Sequence, residues 1–257
     1  MIDFNERAVP GVTSNFLMSE AYARYQFARK HITKDAKVLD IACGVGYGSD
    51  YLSQKSKQII GIDIDEESIA YAKHQFGKKA SFLLGNATDT PFKDHFFDMV
   101  VAFEMIEHLK DPNKFLKEVY RILKKGGKLC ISTPNSAIHS PDGNLMSPYH
   151  VKEYTYEELH KLLSKHFSRV EFYAQNKSES ATKAWKSFLT SQTARRGLVS
   201  VDFLGLRKLF PREKRESLWR FLGNFVGRQK QETLTTKDFP IRSYSGSAEY
   251  FIVVCTR

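Results

Sequence analysis

Glu104, Glu107 and His108 are the residues in this 257-residue chain whose types and spacing best suit chemistry. They stand at i, i+3 and i+4 in Glu104-Met105-Ile106-Glu107-His108, so one turn of helix aims all three the same way. Two carboxylates and an imidazole on one face can hold a divalent cation. Oxygen ligands favour Mg²⁺, and a second imidazole admits Zn²⁺, Mn²⁺ or Fe²⁺. A fourth ligand has to come from a later loop. His150, in Tyr149-His150-Val151-Lys152-Glu153-Tyr154-Thr155, lies just before a helix signal and can reach; His139 competes with it.

A second constellation lies upstream. Val38, Leu39 and Ile41 make a short apolar run that ends in Ala42-Cys43-Gly44-Val45-Gly46-Tyr47-Gly48. Glycines let the backbone turn tightly and approach a ligand closely. A strand, a glycine turn and a helix N-terminus together form the nucleotide site of doubly wound α/β proteins. Asp40 sits inside the first strand, and Asp63 ends the next apolar run, Ile59-Ile60-Gly61-Ile62. An acid at the second strand tip accepts hydrogen bonds from ribose hydroxyls. An acid ahead of the glycines is foreign to the dinucleotide fingerprint. It suits a cationic amino group better than a pyrophosphate. A nucleoside with an amino-acid tail and no phosphate satisfies both acids, which describes S-adenosylmethionine.

Positioning these groups requires alternating strands and helices. Strands are expected at 37–42, 58–63, 81–84, 96–103, 128–133, 169–174 and 249–255. Thr13-Ser14-Asn15 caps a leading helix to about His31, expected to cover one sheet edge. Further helices are expected at 47–54, after Asp65-Glu66-Glu67, and after Asp111-Pro112, the last closed by Lys124-Lys125-Gly126-Gly127. Glu104–Leu109 opens a short helix, and a Thr155–Glu158 capping box starts another. Such alternation demands a parallel sheet with right-handed crossovers. The expected class is α/β, a doubly wound, Rossmann-like sheet of seven mostly parallel strands.

From about Lys37 to Gln175, with the last strand at Tyr250–Thr256, these motifs resemble class I S-adenosylmethionine-dependent methyltransferases. The resemblance implies a last strand that runs antiparallel between strands five and six. It implies cofactor contacts from Asp40, Ala42, Cys43, Gly44, Gly46, Tyr47, Asp63, Ile64, Asn86, Ala87, Phe103 and Glu104, and from Tyr22 or Tyr25 on the leading helix. Asn86 also reads as a plain turn residue. The product would be S-adenosylhomocysteine. Glu-x-x-Glu-His with a later histidine is similar to the small-RNA 3′-terminal 2′-O-methyltransferases and the ubiquinone-biosynthesis O-methyltransferases. That implies Glu104, Glu107, His108 and His150 as metal ligands, Mg²⁺ being one candidate, and Glu107, His108 and His150 as the catalytic set. Many members of the superfamily carry such residues without a metal; Glu104 then helps hold the cofactor and His108 acts as base. Glu6-Arg7-x-Val9-Pro10-Gly11, Ser132-Thr133-Pro134-Asn135 and His150-x-x-Glu153-Tyr154-Thr155 resemble bacterial small-molecule and glycan-linked O-methyltransferases.

The net charge of +10 is regional. Residues 177–245 hold fifteen Lys and Arg against six Asp and Glu, which leaves the rest of the chain almost neutral. This points to one basic element and away from a surface that coats nucleic acid throughout. Residues 1–36 read as an arm and lid helix, 37–175 with 249–257 as the core, and 176–248 as a basic helical insert. A connection of that length is usually a lid or binding element. No signal peptide or membrane span is expected, and three sparse cysteines suggest reduced thiols in a cytoplasmic protein. The first reading is O-methylation of a small-molecule, glycan or lipid-linked acceptor, with residues 199–230 able to rest on an anionic membrane. An RNA 2′-O-methyltransferase gripping phosphates with the insert ranks below it. A non-catalytic S-adenosylmethionine-binding module ranks last.

Overall fold

The computed structural model describes residues 8–10, 13–187 and 234–257. Strands β1 (Lys37–Ile41), β2 (Gln58–Asp63), β3 (Ser81–Leu84), β4 (Phe97–Phe103) and β5 (Leu123–Pro134) are followed by β6 (Arg169–Gln175), β7 (Ile241–Ser243) and β8 (Tyr250–Thr256). They form one sheet in the order β3-β2-β1-β4-β5-β8-β6-β7. The first five are parallel neighbours. β8 runs antiparallel to both β5 and β6, inserted between them as the resemblance implied. The sheet has one strand more than expected. Ile241-Arg242-Ser243 pairs with the free edge of β6, and three residues behind Pro240 are too few to carry a strand signal.

The helices are α1 (Asn15–Lys30), α2 (Tyr47–Ser53), α3 (Glu66–Phe76), α4 (Pro112–Ile122), α5 (Ser136–His139) and α6 (Tyr156–Leu163). Two cores fill the two faces of the sheet. Phe115, Leu116 and Val119 of α4 and Leu159 and Leu163 of α6 pack on Leu39, Val100, Leu129 and Phe251. Ile69 and Ala72 of α3, Leu52 of α2 and Tyr25, Phe27 and Ala28 of α1 pack on Val38, Met99, Cys130 and Ile252. Thus α1 covers a face and not an edge, because its apolar stripe reaches the central strands. The caps are as expected: Ser14 on α1, Asp111 on α4, and the Thr155–Glu158 box on α6. The close of α4 differs. It ends at Ile122, and Lys124–Gly127 already belong to β5, where Gly126 takes a left-handed φ of 74°.

The two ends of the expected insert belong to the body. Ala181, Leu234 and Phe239 bury against Ala23 of α1, and Phe16 stacks on Trp185 at 5.1 Å. Residues 188–233, which include the apolar stripe Leu218-Trp219-Leu222-Phe225-Val226 and the whole of the basic 199–230 segment, lie outside the described residues. The three cysteines are buried and form no disulfide. Among the described residues no helix is long and apolar enough to cross a membrane.

One contact fixes α1 to α2. A Cβ placed on Gly48 would fall 1.9 Å from Cζ of Tyr25, whose ring is itself buried. Gly48→Ala is therefore expected to cost about 1–3 kcal/mol through overpacking. Thermal melts should show a drop of about 2–4 °C per kcal/mol for a chain of this size. A melting temperature equal to that of the natural chain would show that Tyr25 can move aside.

Candidate active site

Backbone outliers mark where the sheet opens. Among the described residues Ala42, His95 and Glu104 carry a positive φ without being glycine. Ala42 (φ 56°) follows β1 and Glu104 (φ 48°) follows β4. These neighbouring strands are where the strand order reverses, the point at which open α/β sheets bind ligands. Left-handed backbone at a non-glycine residue costs energy and persists mainly where function needs it.

The glycine turn forms the β1 side. Gly44 has φ 52°, and a Cβ there would meet nothing within 4 Å, so space lies open above it. Gly46 has φ 86°, and a Cβ there would strike Phe82 and Ala72. Asp63 accepts from the N–H of Gly44 at 2.8 Å and from the N–H of Asp65 at 2.9 Å, one on each oxygen. An acid at the tip of the second strand is where a ribose diol is held in doubly wound folds. Ile64 beside it is 75% exposed, an apolar surface next to the acid where a purine can lie. The Cys43 N–H donates to Ile62 O at 3.0 Å and ties the turn to β2. Asn86 Oδ1 accepts from the Thr88 N–H and hydroxyl, so its side-chain oxygen serves a turn. Ala87 packs against the core.

Asp40 departs from its expected part. It is fully buried and cannot touch a ligand directly. The Ser49 hydroxyl donates to it at 2.7 Å, and the Tyr25 hydroxyl lies 3.4 Å from both its oxygens. Burial pushes its carboxyl up to about 7, against the hydrogen bonds from Ser49 and Tyr25, with the charge of Asp63 adding to the rise. Tyr47 and Phe103 pack edge-on against Tyr25 at 5.6 and 5.0 Å. Asp40 and these three aromatics build the floor beneath the turn.

The β4 side carries the acid and imidazole set. Its geometry corrects the single helical face. Glu104 is left-handed, and a 3₁₀ turn begins only at Ile106 (Ile106–His108). The Glu104 carboxylate turns to Ser132, whose hydroxyl donates at 2.6 Å, and to Arg24 at 3.8 Å. Glu107, His108 and His150 do converge, each offering a ligand atom within 4.8 Å of the others'. Glu104 stands outside that group. The two imidazoles meet edge-on at 4.9 Å. Glu107 is buried and accepts from the Thr133 hydroxyl at 2.9 Å, while its Oε1 has no hydrogen-bond partner. Burial, with the charge of Glu104, raises its carboxyl well above the usual range. His150 Nδ1 lies 2.6 Å from Glu153 Oε1. Burial alone would raise Glu153, but hydrogen bonds from Ser140, His150 and the Met146 N–H hold it below the usual range. Such a carboxylate orients the imidazole and leaves Nε2 for other work. His139, the competing candidate, does not join the group; its ring packs on Tyr250 at 5.0 Å.

Comparison with known proteins places this geometry. Residues 39–131 match the methyltransferase domain family. A probable S-adenosylmethionine-dependent methyltransferase of Mycolicibacterium smegmatis is 34% identical over 160 residues, 62% of each chain. The chain carries a class I S-adenosylmethionine-dependent methyltransferase domain. The ubiquinone biosynthesis O-methyltransferase of Pseudomonas fluorescens is 34% identical over 103 residues, 38% of this chain and 44% of that one. The chain spans about six tenths of the length of the mycobacterial relatives it matches. A solved methyltransferase of Thermotoga maritima, titled a possible histamine N-methyltransferase, shares the fold. Its TM-score is 0.60 at 18% identity, covering 94% of this chain and 91% of that one.

Arg24, Gln175 and Tyr250 border this site without any motif to announce them, and Ser132 and Thr133 enter it from the Ser132-Thr133-Pro134-Asn135 motif with no role assigned to either side chain beforehand. Arg24 left one sign in the sequence: with Glu20 it forms an i, i+4 pair that falls on the buried side of α1. Ser132 and Thr133 are hydroxyls at the end of an apolar strand, where both are fully buried.

Proposed function

We propose that this methyltransferase moves the sulfonium methyl of S-adenosylmethionine to a hydroxyl oxygen of an acceptor with an apolar portion. The Glu107–His108–His150 group, which follows β4 where the strand order reverses, carries the oxygen reading. An alcohol or phenol must lose a proton as it attacks, whereas a neutral amine brings a free lone pair. A built proton-accepting group therefore favours oxygen. The acceptor oxygen attacks the methyl carbon in line, the C–S pair stays on sulfur, and the proton passes to an imidazole Nε2. Alignment can supply roughly 7–11 kcal/mol of the barrier, and base catalysis about 10²–10⁴-fold. Glu153 keeps the His150 ring oriented, and Thr133 holds Glu107.

The same three residues fit a divalent cation, since Glu107 Oε1 lacks a partner and His150 already has a carboxylate behind it. Glu107, His108 and His150 would hold the ion, which when bound would acidify the hydroxyl as a Lewis acid. Exhaustive chelation followed by turnover measurement tests this: unchanged turnover in metal-free protein leaves proton transfer to the imidazoles alone. His150→Ala is expected to lower turnover by about 10²–10⁴-fold while S-adenosylhomocysteine affinity stays near that of the natural chain.

Five large apolar residues, Ile138, Leu145, Met146, Tyr149 and Val151, are exposed in the segment around His150. They support a small apolar or lipid-linked acceptor. The test is incubation with methyl-labelled cofactor and extract fractions, with mass spectrometry and carbon NMR of the product. Transfer to oxygen of a molecule from the lipid-rich fraction is expected. Label recovered only on nitrogen sinks the proposal.

A further inference from the structure

One buried carboxylate organises the segment between α5 and α6. From Ser140 to Lys152 the chain forms neither helix nor strand. Without a hydrogen-bond ladder, its shape has to come from individual polar contacts. Glu153, only 5% exposed, collects three donors spread along it. The Ser140 hydroxyl donates to Oε2 at the start, and the Met146 N–H donates to Oε1 at 2.8 Å in the middle. His150 Nδ1 donates to Oε1 at 2.6 Å near the end. Leu145, Met146 and Tyr149 are exposed between the first donor and the last. The end of the segment rests on the turn after β4. There the Val151 and Lys152 N–H groups donate to Glu107 O at 2.8 and 3.1 Å, and His108 Nδ1 lies 3.2 Å from Tyr149 O. A carbonyl and an ionised carboxylate only accept, so both imidazoles carry a proton on Nδ1 and present Nε2 outward.

The apolar segment and the imidazole thus share one support. An acceptor whose apolar portion lies on Leu145, Met146 and Tyr149 brings its hydroxyl to His150 Nε2 only while the spacing between those side chains and the ring is held. A misplacement of about 1 Å can cost about 10²-fold in rate. We propose that Glu153 joins the apolar segment and the His150 ring into one unit, and so decides which acceptors are turned over as well as how fast. This rests on the apolar hydroxyl acceptor proposed above. Glu153 is a positioning residue in this role, since it acts through the segment and the ring. His150 differs from it in one respect. The ring serves turnover, but the segment keeps its shape without the ring, because Ser140 and Met146 still bind Glu153.

Two measurements on the full chain test it. The first is amide hydrogen exchange over residues 140–152 with no acceptor present. Glu153→Ala is expected to speed exchange there by about 10–100-fold, as suits the loss of hydrogen bonds to a charged group. His150→Ala should change it by less than about threefold. The second is methyl transfer from labelled cofactor to 4-methylphenol, 4-butylphenol and 4-octylphenol. In the natural chain kcat/KM should rise with the alkyl chain. His150→Ala should slow all three by about 10²–10⁴-fold and keep their ratio. Glu153→Ala should slow the octyl compound most, by about 10–100-fold, and bring the three within about twofold of one another. Glu153→Gln, which keeps the shape and one accepting oxygen, should fall between the natural chain and Glu153→Ala in both measurements. Unchanged exchange in Glu153→Ala overturns the proposal, and so does a chain-length ratio that survives in it. Should Glu153→Ala fail to fold, Glu153→Gln and Ser140→Ala carry the test, and exchange no faster than in His150→Ala is then decisive against it. If the natural chain methylates none of the phenols, or all at one rate, the apolar-acceptor reading falls and the proposal with it. That failure shows in the natural chain, whereas failure of the Glu153 role alone shows only in the variants.

Discussion

Asp63→Ala is expected to weaken S-adenosylhomocysteine binding by about 10²–10⁴-fold, the combined worth of two charge-assisted hydrogen bonds at about 1.5–3 kcal/mol each. The side chain ends β2, and one lone pair on each oxygen is already committed to Gly44 and Asp65. It is thus held still before any ligand arrives, so little ordering cost is left for binding. The substitution has a second consequence, since the Gly44 N–H loses its acceptor and the glycine turn loses a tether. A ligand lacking both ribose hydroxyls separates the two effects. If the diol is the partner, Asp63→Ala should barely change the affinity of the dideoxy ligand. An equal loss for both ligands would mean that Asp63 acts by shaping the turn alone. Asp63→Asn should retain part of the turn tether and lose the charge.

Asp40 is expected to make the ligand-free protein less stable as pH rises. Its carboxyl sits near 7 in the folded chain against an ordinary value of 3.8. The folded state therefore holds this proton more tightly than the unfolded chain does. The resulting stabilisation is fully present below about pH 4 and is lost as pH rises through about 7. A difference of about three pK units is on the order of 4 kcal/mol. Asp40→Asn keeps the shape of the neutral acid. It should melt higher than the natural chain at pH 8, by about 2–4 °C for each kcal/mol regained. Burial raises Glu107 in the same direction, so part of the slope will survive in the variant. The functional effect has the opposite sign: with the negative charge gone from beneath the glycine turn, a cationic cofactor should bind more weakly. That is the usual opposition between stability and a polar group kept buried for function. Melting curves of the two proteins at pH 5 and pH 8 check the first claim; a variant that melts no higher at pH 8 overturns it.

Legibility in the sequence followed the range of the interaction involved. Caps are local, and Ser14, Asp111 and the Thr155–Glu158 box could be read from a few neighbouring residues. Parallel strands are buried on both faces, and continuous apolar runs such as Ile59–Ile62 and Met99–Ala102 announce them. The glycine turn and Asp63 were legible because left-handed backbone leaves glycines behind and the second strand tip falls at a regular distance. The short strand Ile241–Ser243 was not, since its only reason to exist is the free edge of β6.

The site shows the same division. Its composition was determined by the sequence alone: a glycine turn, two acids on the first strands, and a Glu-x-x-Glu-His set after the fourth, in a doubly wound sheet. Only the tertiary structure decided what each acid does. Asp40, expected to face a ligand, is sealed because exposure is set by what packs on top, and no spacing rule records that. A single left-handed residue at Glu104 breaks the helical face that spacing alone suggested, sending Glu104 toward Arg24 and leaving Glu107 and His108 to meet His150 from more than forty residues on. Arg24 and Glu153 enter the site for the same reason: their partners are distant in the chain or lie in an irregular loop, and only the folded sheet brings them together.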